Sequence, residues 1–281
     1  MISRLTRWLT GRPVDSTSSA TARILALREM PAAVYAIGDV HGCLDLYQDL
    51  EAQIVADGAT RPGKKLIVLL GDVIDRGPQS AGVLDHMLGP PPTDHERVVL
   101  RGNHEEMFLR FLDDPEPHMG WLDHGGLETL ASYGLHLDPA DVSGAARNGT
   151  RRRLRTHIPD SHIKLLSDLP HGLRVGDYFL CHAGTDPSKP PHAQRPTDLL
   201  WGFDGDGAPA PDGPIVVHGH FAHDTPRQSP RRINIDTGAY ATGRLMAVRL
   251  TDNDSPRFLQ AQRAVYNHVA TRHRVAPDLM D

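Results

Sequence analysis

Six side chains in this sequence have the types and spacing to hold divalent cations. Asp39 and His41 stand one residue apart in Gly38-Asp39-Val40-His41-Gly42. Asp72 opens Gly71-Asp72-Val73-Ile74-Asp75-Arg76-Gly77, and Asn103 lies in Gly102-Asn103-His104-Glu105. His182 and His220 lie downstream, in Cys181-His182-Ala183-Gly184 and His218-Gly219-His220. All six offer oxygen or nitrogen donors, and no thiolate is needed. Such a set suits Mn²⁺ best, with Fe or Zn also accommodated by the imidazoles. A carboxylate has two oxygens, and Asp72 is the candidate bridge. One metal then takes Asp39, His41 and Asp72, and a second takes Asp72, Asn103, His182 and His220. Two cations about 3.5–4 Å apart would clamp an in-line displacement at phosphorus, with a shared water deprotonated to hydroxide.

Strand ends must position these donors. Short aliphatic runs at Ala33–Ile37, Leu66–Leu70, Val98–Leu100, Tyr178–Leu180 and Ile215–Val217 read as buried strands. Each leads directly into one of the polar motifs. Leu44–Val55, Ser80–Leu88 and Glu105–Leu112 read as helices after the first three. The alternation predicts an α/β fold, in which ligands gather beyond the carboxyl ends of strands. Residues 116–170 hold helical stretches, such as Leu127–Tyr133 and Arg151–Leu166, and read as a helical insertion. Asp186–Pro214, rich in Pro, Gly and Asp, reads as an irregular loop. Arg232–Asp236 and Leu245–Leu250 read as strands, with a hairpin around Thr237–Arg244. The expected organisation is a basic arm over 1–30, a catalytic domain over 31–252 and an extension over 253–281.

Taken singly, each motif has a plain alternative. Asp39 and Asp72 could cap the following helices, and Asn103 could tolerate a left-handed turn. Six donors in order, each at a strand end, point to a site. Together the three motifs and the two downstream histidine motifs resemble the phosphoprotein phosphatase family of calcineurin-like metallophosphoesterases. Gly125–Leu130, Ser132–Gly134 and Arg232–Ala239 are similar to its bacterial and phage-type members. The likeness spans about residues 33–250.

The resemblance implies a β-sandwich flanked by helices, in αββα layers, and a dinuclear site. It also implies three roles outside the ligand set. His104 would be the general acid that protonates the leaving oxygen. Asp75 would orient it and keep it protonated, and Arg76 would grip the phosphoryl oxygens through a planar fork. Asp236 matches a family motif but is expected to brace a loop. In one place the sequence departs from the pattern. Leu199-Leu200-Trp201-Gly202 is followed by Phe203, where an arginine would supply a second grip on phosphate. Arg195, Arg227 and Arg231 are candidate substitutes, and Trp201 with Phe203 could form a stacking wall.

The resemblance favours a phosphomonoesterase acting as a serine/threonine protein phosphatase on phosphoproteins. The alternative is a symmetrical dinucleoside polyphosphate hydrolase, or another small-molecule phosphoesterase, because Gly38–Cys43 is similar to that branch as well. A metal- or phosphate-binding protein with impaired catalysis is a third reading. Intact His104, Asp75 and Arg76 argue against it.

Composition narrows the partners. The 281 residues are 39% hydrophobic and 23% charged, which fits a globular enzyme. A net charge of −5 gives no global field for nucleic acid or anionic membrane. The arginines at 147, 151, 152, 153 and 155 are read as a solvated helix face, since no aromatic platform accompanies them. No apolar run reaches the roughly 18–20 residues of a membrane span. The arm carries Arg4, Arg7, Arg12, Arg23 and Arg28 with a Ser/Thr-rich stretch, a composition shared by transit peptides and by mobile basic arms. Two cysteines, Cys43 and Cys181, make no disulfide framework and suit a reduced, cytoplasmic compartment as buried fillers.

Overall fold

A computed structural model describes residues 21–138, 142, 147–202 and 213–263. The outer parts of the basic arm and C-terminal extension, and Phe203, lie outside the described residues. In chain order the first half comprises β1 (Ile24–Ala26), β2 (Ala33–Ile37), α1 (Leu44–Gly58), β3 (Lys65–Leu69), α2 (Ser80–Leu88), β4 (His95–Val99), α3 (Asn103–Asp113) and α4 (Leu127–Ser132). The second half comprises α5 (Arg147–His157), α6 (Asp160–Ser167), β5 (Gly172–Val175), β6 (Tyr178–Cys181), α7 (Pro196–Trp201), β7 (Ile215–His218), β8 (Arg227–Ser229), β9 (Arg232–Asn234), α8 (Ala239–Thr242), β10 (Arg244–Leu250) and β11 (Arg257–Gln262).

The strands form two sheets, in the orders β11-β10-β2-β3-β4 and β1-β5-β6-β7-β9-β8. Side chains alternate faces along a strand. Val34, Ala36, Leu66 and Val68 therefore enter the core between the sheets, where they join Leu180, Val217 and Ile233. Tyr35, Ile37, Ile67 and Leu69 point the other way and pack under the helices with Leu46, Leu50 and Ile54 of α1. Burial on both faces explains the unbroken aliphatic runs. This is the expected α/β sandwich with flanking helices.

Register places the site. In the first sheet, parallel pairing aligns Ile37 with Leu69 and Leu69 with Val99. Asp39, Asp72 and Asn103 follow those matched positions by two, three and four residues. In the second sheet, Leu180 aligns with Val217 and Val217 with Ile233. His182, His220 and Asp236 follow these by two, three and three residues.

Several elements differ from expectation. Arg151–Leu166 is two helices, because Pro159 cannot continue the first and takes an extended conformation (ψ 137) at the start of α6. The segment Thr237–Arg244 is not a hairpin. Gly238 and Gly243 bracket the short α8 in left-handed conformations, and β9 and β10 belong to different sheets. The loop after Asp186 contains α7, started by Pro196. Strands β1 and β11 lie beyond residues 31–252 yet pair with β5 and β10. Residues 116–170 hold helices and no strand among the described residues.

Candidate metal centre

The six donors expected from sequence converge. Asp72 Oδ2 is the hub, with His182 Nε2 at 3.3 Å, His41 Nε2 at 3.7 Å and His104 Nε2 at 3.8 Å. His182 Nε2 also lies 2.8 Å from Asn103 Oδ1 and 3.1 Å from His220 Nδ1. Asp39 joins through Oδ2, which accepts the backbone N–H of His220 at 3.1 Å. Potential ligand atoms cluster as His41, Asp72 and His104, and as Asp72, His182 and His220, each within 4.8 Å of one another. Asp72 belongs to both groups.

The imidazoles are oriented from behind. His41 Nδ1 lies 2.9 Å from the Ile74 carbonyl and His182 Nδ1 3.2 Å from that of Leu70. Donation of Nδ1–H to a backbone carbonyl leaves the Nε2 lone pair facing the centre, the arrangement metal-binding histidines use. Burial lowers the pKa of His41 to about 3 and of His220 to about 4, so both are neutral donors. His218 faces away. Its Nε2 accepts from Arg232 Nε at 2.6 Å, and its Nδ1 lies 2.9 Å from the Gly219 carbonyl.

The carboxylates fit a cationic occupant. Asp39 is buried and its Oδ1 has no hydrogen-bond partner. Burial, with Asp236 and Asp72 nearby, raises its pKa well above the usual carboxylate range. Burial also opposes charge on Asp72, but His182, His104 and His41 outweigh it and hold that pKa well below the usual range. Buried carboxylates concentrated at one point favour added positive charge, which divalent cations would supply.

Backbone geometry is unusual here. Among the described non-glycine residues, His41, Asp72, Asp75, Arg76, Asp94 and His220 have positive φ. All but Asp94 belong to the candidate set, and such strain concentrates at functional sites. Two glycines give the carboxylates room. A Cβ at Gly102 would overlap Asp72 Oδ1, and one at Gly219 would overlap Asp39 Oδ1.

The residues expected beyond the ligand set are also here. His104 Nδ1 lies 2.7 Å from Asp75 Oδ2. Burial disfavours the imidazolium, but Asp72 and Asp75 together outweigh it and raise the His104 pKa. Asp75 is itself clamped. Trp121 Nε1 donates to its Oδ2 at 2.7 Å and Thr129 Oγ1 to its Oδ1 at 2.6 Å. Arg76 Nη1 lies 3.2 Å from His41 Nε2, and the guanidinium sits 4.8 Å over the ring of Tyr240. Asp236 Oδ1 accepts the Gly238 N–H at 2.8 Å, a brace on the loop before α8. Arg231 donates to the Gly213 carbonyl at 2.8 Å, while Arg195 and Arg227 are exposed.

Glu105, Trp121, Thr129 and Tyr240 were not expected at the centre from the sequence. Glu105 stood inside a recognised motif without a role. Thr129 likewise stood inside the Gly125–Leu130 likeness without a role, while Trp121 and Tyr240 are brought in by the helical segment and by α8, which no local pattern ties to the centre. Cys43 and Cys181 are unpaired and buried, as expected, and burial pushes the Cys181 thiol up to about 12.

A two-sheet sandwich with this donor set at its strand ends defines a metallophosphoesterase. Residues 32–251 match the calcineurin-like phosphoesterase family, and the chain belongs to that family. It is a metal-dependent phosphoesterase. It is 29% identical over 243 residues to a protein of Bacillus velezensis named bis(5'-nucleosyl)-tetraphosphatase PrpE (asymmetrical), covering 78% of this chain and 89% of that one. The protein of the same name from Bacillus subtilis is 27% identical, over 77% of this chain and 90% of that one. A solved structure described as a candidate diadenosine tetraphosphatase aligns with a TM-score of 0.56 at 19% identity, over 86% of this chain and all of that one. Among the described residues, no helix is long and apolar enough to cross a membrane.

Proposed function

We propose that this chain hydrolyses a phosphoanhydride bond of dinucleoside polyphosphates such as diadenosine tetraphosphate. The likeness to the Bacillus proteins named as tetraphosphatases, over most of both chains, carries the substrate class. Those relatives favour the small-molecule alternative over the serine/threonine protein phosphatase expected from the motifs, although they are named asymmetrical where the sequence led to a symmetrical hydrolase.

Asp39, His41 and Asp72 would hold one divalent cation, and Asp72, Asn103, His182 and His220 a second, with Mn²⁺ favoured. Bound there, the cations supply Lewis-acid polarisation of phosphoryl oxygens and activation of a water. The protein supplies the rest. Arg76, steadied on Tyr240, binds non-bridging phosphate oxygens through its fork. His104, protonated and oriented by Asp75, gives its Nε2 proton to the oxygen of the departing nucleotide. Trp121 and Thr129 hold Asp75 and so fix the ring. The buried, unpaired thiols suit a reducing, cytoplasmic setting for the enzyme.

Mn²⁺-loaded protein should convert diadenosine tetraphosphate and water to two nucleotides, resolved by ion-exchange chromatography. ATP with AMP would mark asymmetrical cleavage, and two ADP symmetrical cleavage. Faster turnover of a phosphoserine peptide than of the dinucleotide would return the assignment to protein phosphatase.

A further inference from the structure

Three large hydrophobic side chains are exposed among the described residues: Trp201 at 47%, Tyr240 at 40% and Leu127 at 39%. Scattered exposed hydrophobics need no explanation, but a cluster around a polar centre does. Tyr240 meets the His41 ring edge-on at 5.3 Å between centroids. Trp201 meets the His220 ring edge-on at 6.4 Å. His41 and His220 belong to the two different halves of the donor cluster that Asp72 joins. Each half therefore has an exposed aromatic ring beside it. Leu127 follows Gly125 by two residues, and the Gly125 carbonyl accepts the Arg76 N–H at 3.2 Å.

We propose that Trp201 and Tyr240 are specificity-determining platforms on which the two nucleobases of a dinucleoside polyphosphate stack while its phosphates lie over the donor cluster. This rests on the function proposed above. The ligand is a polyanion with a flat aromatic group at each end. The site is a cationic-demand centre with an exposed ring beside each half. A base stacks on any aromatic face without needing hydrogen-bond readout. Trp201 ends α7 and Tyr240 lies in α8, so both rings are mounted on helices beside the centre. Arg76 backs Tyr240, which links a base on that ring to the phosphate grip.

The test uses the full Mn²⁺-loaded chain, with diadenosine tetraphosphate and inorganic tripolyphosphate as paired substrates. Tripolyphosphate offers anhydride bonds without bases. Trp201→Ala should raise KM for the dinucleotide about tenfold, lowering the dinucleotide-to-tripolyphosphate ratio of kcat/KM by a similar factor. Tyr240→Ala, which also removes the ring under Arg76, should lose on both substrates but more on the dinucleotide. Trp201→Phe and Tyr240→Phe should recover most of the loss, since the ring is kept. Equal losses on both substrates, or an unchanged KM, would overturn the proposal. A binding readout stands apart from turnover. AMP should quench part of the tryptophan emission of the wild-type protein and leave that of Trp201→Phe unaltered. Identical quenching in the two would also overturn it. Wild-type protein that quenches with AMP yet cleaves no dinucleotide would sink the proposed reaction and leave the stacking platform standing.

Discussion

Glu105 holds Asp72 in place from behind, its Oε2 accepting the Asp72 backbone N–H at 2.9 Å. The same oxygen accepts the Gly102 N–H at 2.8 Å, and Oε1 accepts those of Val73 at 2.9 Å and Ile74 at 3.3 Å. A fully buried carboxylate thus ties the turn after β3 to the start of α3. Glu105→Gln puts an amide donor against backbone donors. The variant should lose about 2–4 kcal/mol of stability and bind metal more weakly. Thermal unfolding and metal titration measure both. An unshifted unfolding midpoint would remove Glu105 from this role.

Asp72 belongs to both groups of potential ligand atoms, and its proposed role is to bridge them. Asp72→Asn keeps the size of the side chain but removes charge shared by both donor groups. Bound metal, counted by mass spectrometry after gel filtration, should fall below two per chain. Two retained ions would contradict the bridge. Chelation of the wild-type protein should abolish turnover, and Mn²⁺ should restore it.

His104 as proton donor predicts a loss that depends on the leaving group. A serine alkoxide needs protonation more than a departing nucleotide phosphate does. His104→Asn should therefore cost about 10²–10⁴-fold on an alkyl phosphate and less on diadenosine tetraphosphate. Both metals should remain bound. Equal losses on the two substrates would argue for a different role.

Gly219→Ala should disable the centre while sparing the fold, because the added methyl overlaps Asp39 Oδ1. The expected signature is loss of metal binding with an unfolding midpoint lowered by only a few degrees. Normal metal affinity would show that the turn can yield.

Away from the site, Asp57 accepts from Arg249 Nη1 at 2.9 Å and from Tyr35 at 2.7 Å. Burial opposes its charge, but these hydrogen bonds and the arginine charges prevail and depress its pKa. Below the ordinary aspartate pKa the unfolded chain takes up a proton that the folded state refuses. Stability is therefore full above the ordinary value and lost as pH falls through the depressed one. Arg249→Gln should flatten that acid limb in denaturation curves recorded at several pH values. A limb of unchanged slope would assign the acid sensitivity elsewhere.

Much of the site was legible because its donors are local signals. Asp39, His41, Asp72, Asn103, His182 and His220 each sit just beyond an aliphatic run, and strand ends are where a sheet gathers ligands. Pro159 breaks the stretch read as one helix over Arg151–Leu166; the helical pattern on both sides of it masked the break. The hairpin expected around Thr237–Arg244 failed for a physical reason. Two β-like runs joined by a short segment carry no information about which sheet each joins.

The sequence by itself determined the alternation of strands and helices, the order of the donors and the chemistry they can perform, because those depend on residue type and local spacing. Tertiary structure decided the rest. Register between strands distant in the chain brought three imidazoles to one oxygen of Asp72. The helical segment delivered Trp121 and Thr129 to Asp75. The same packing left Trp201 and Tyr240 exposed beside the histidines. Contacts between residues far apart in sequence depend on how whole elements pack, and no local spacing encodes them.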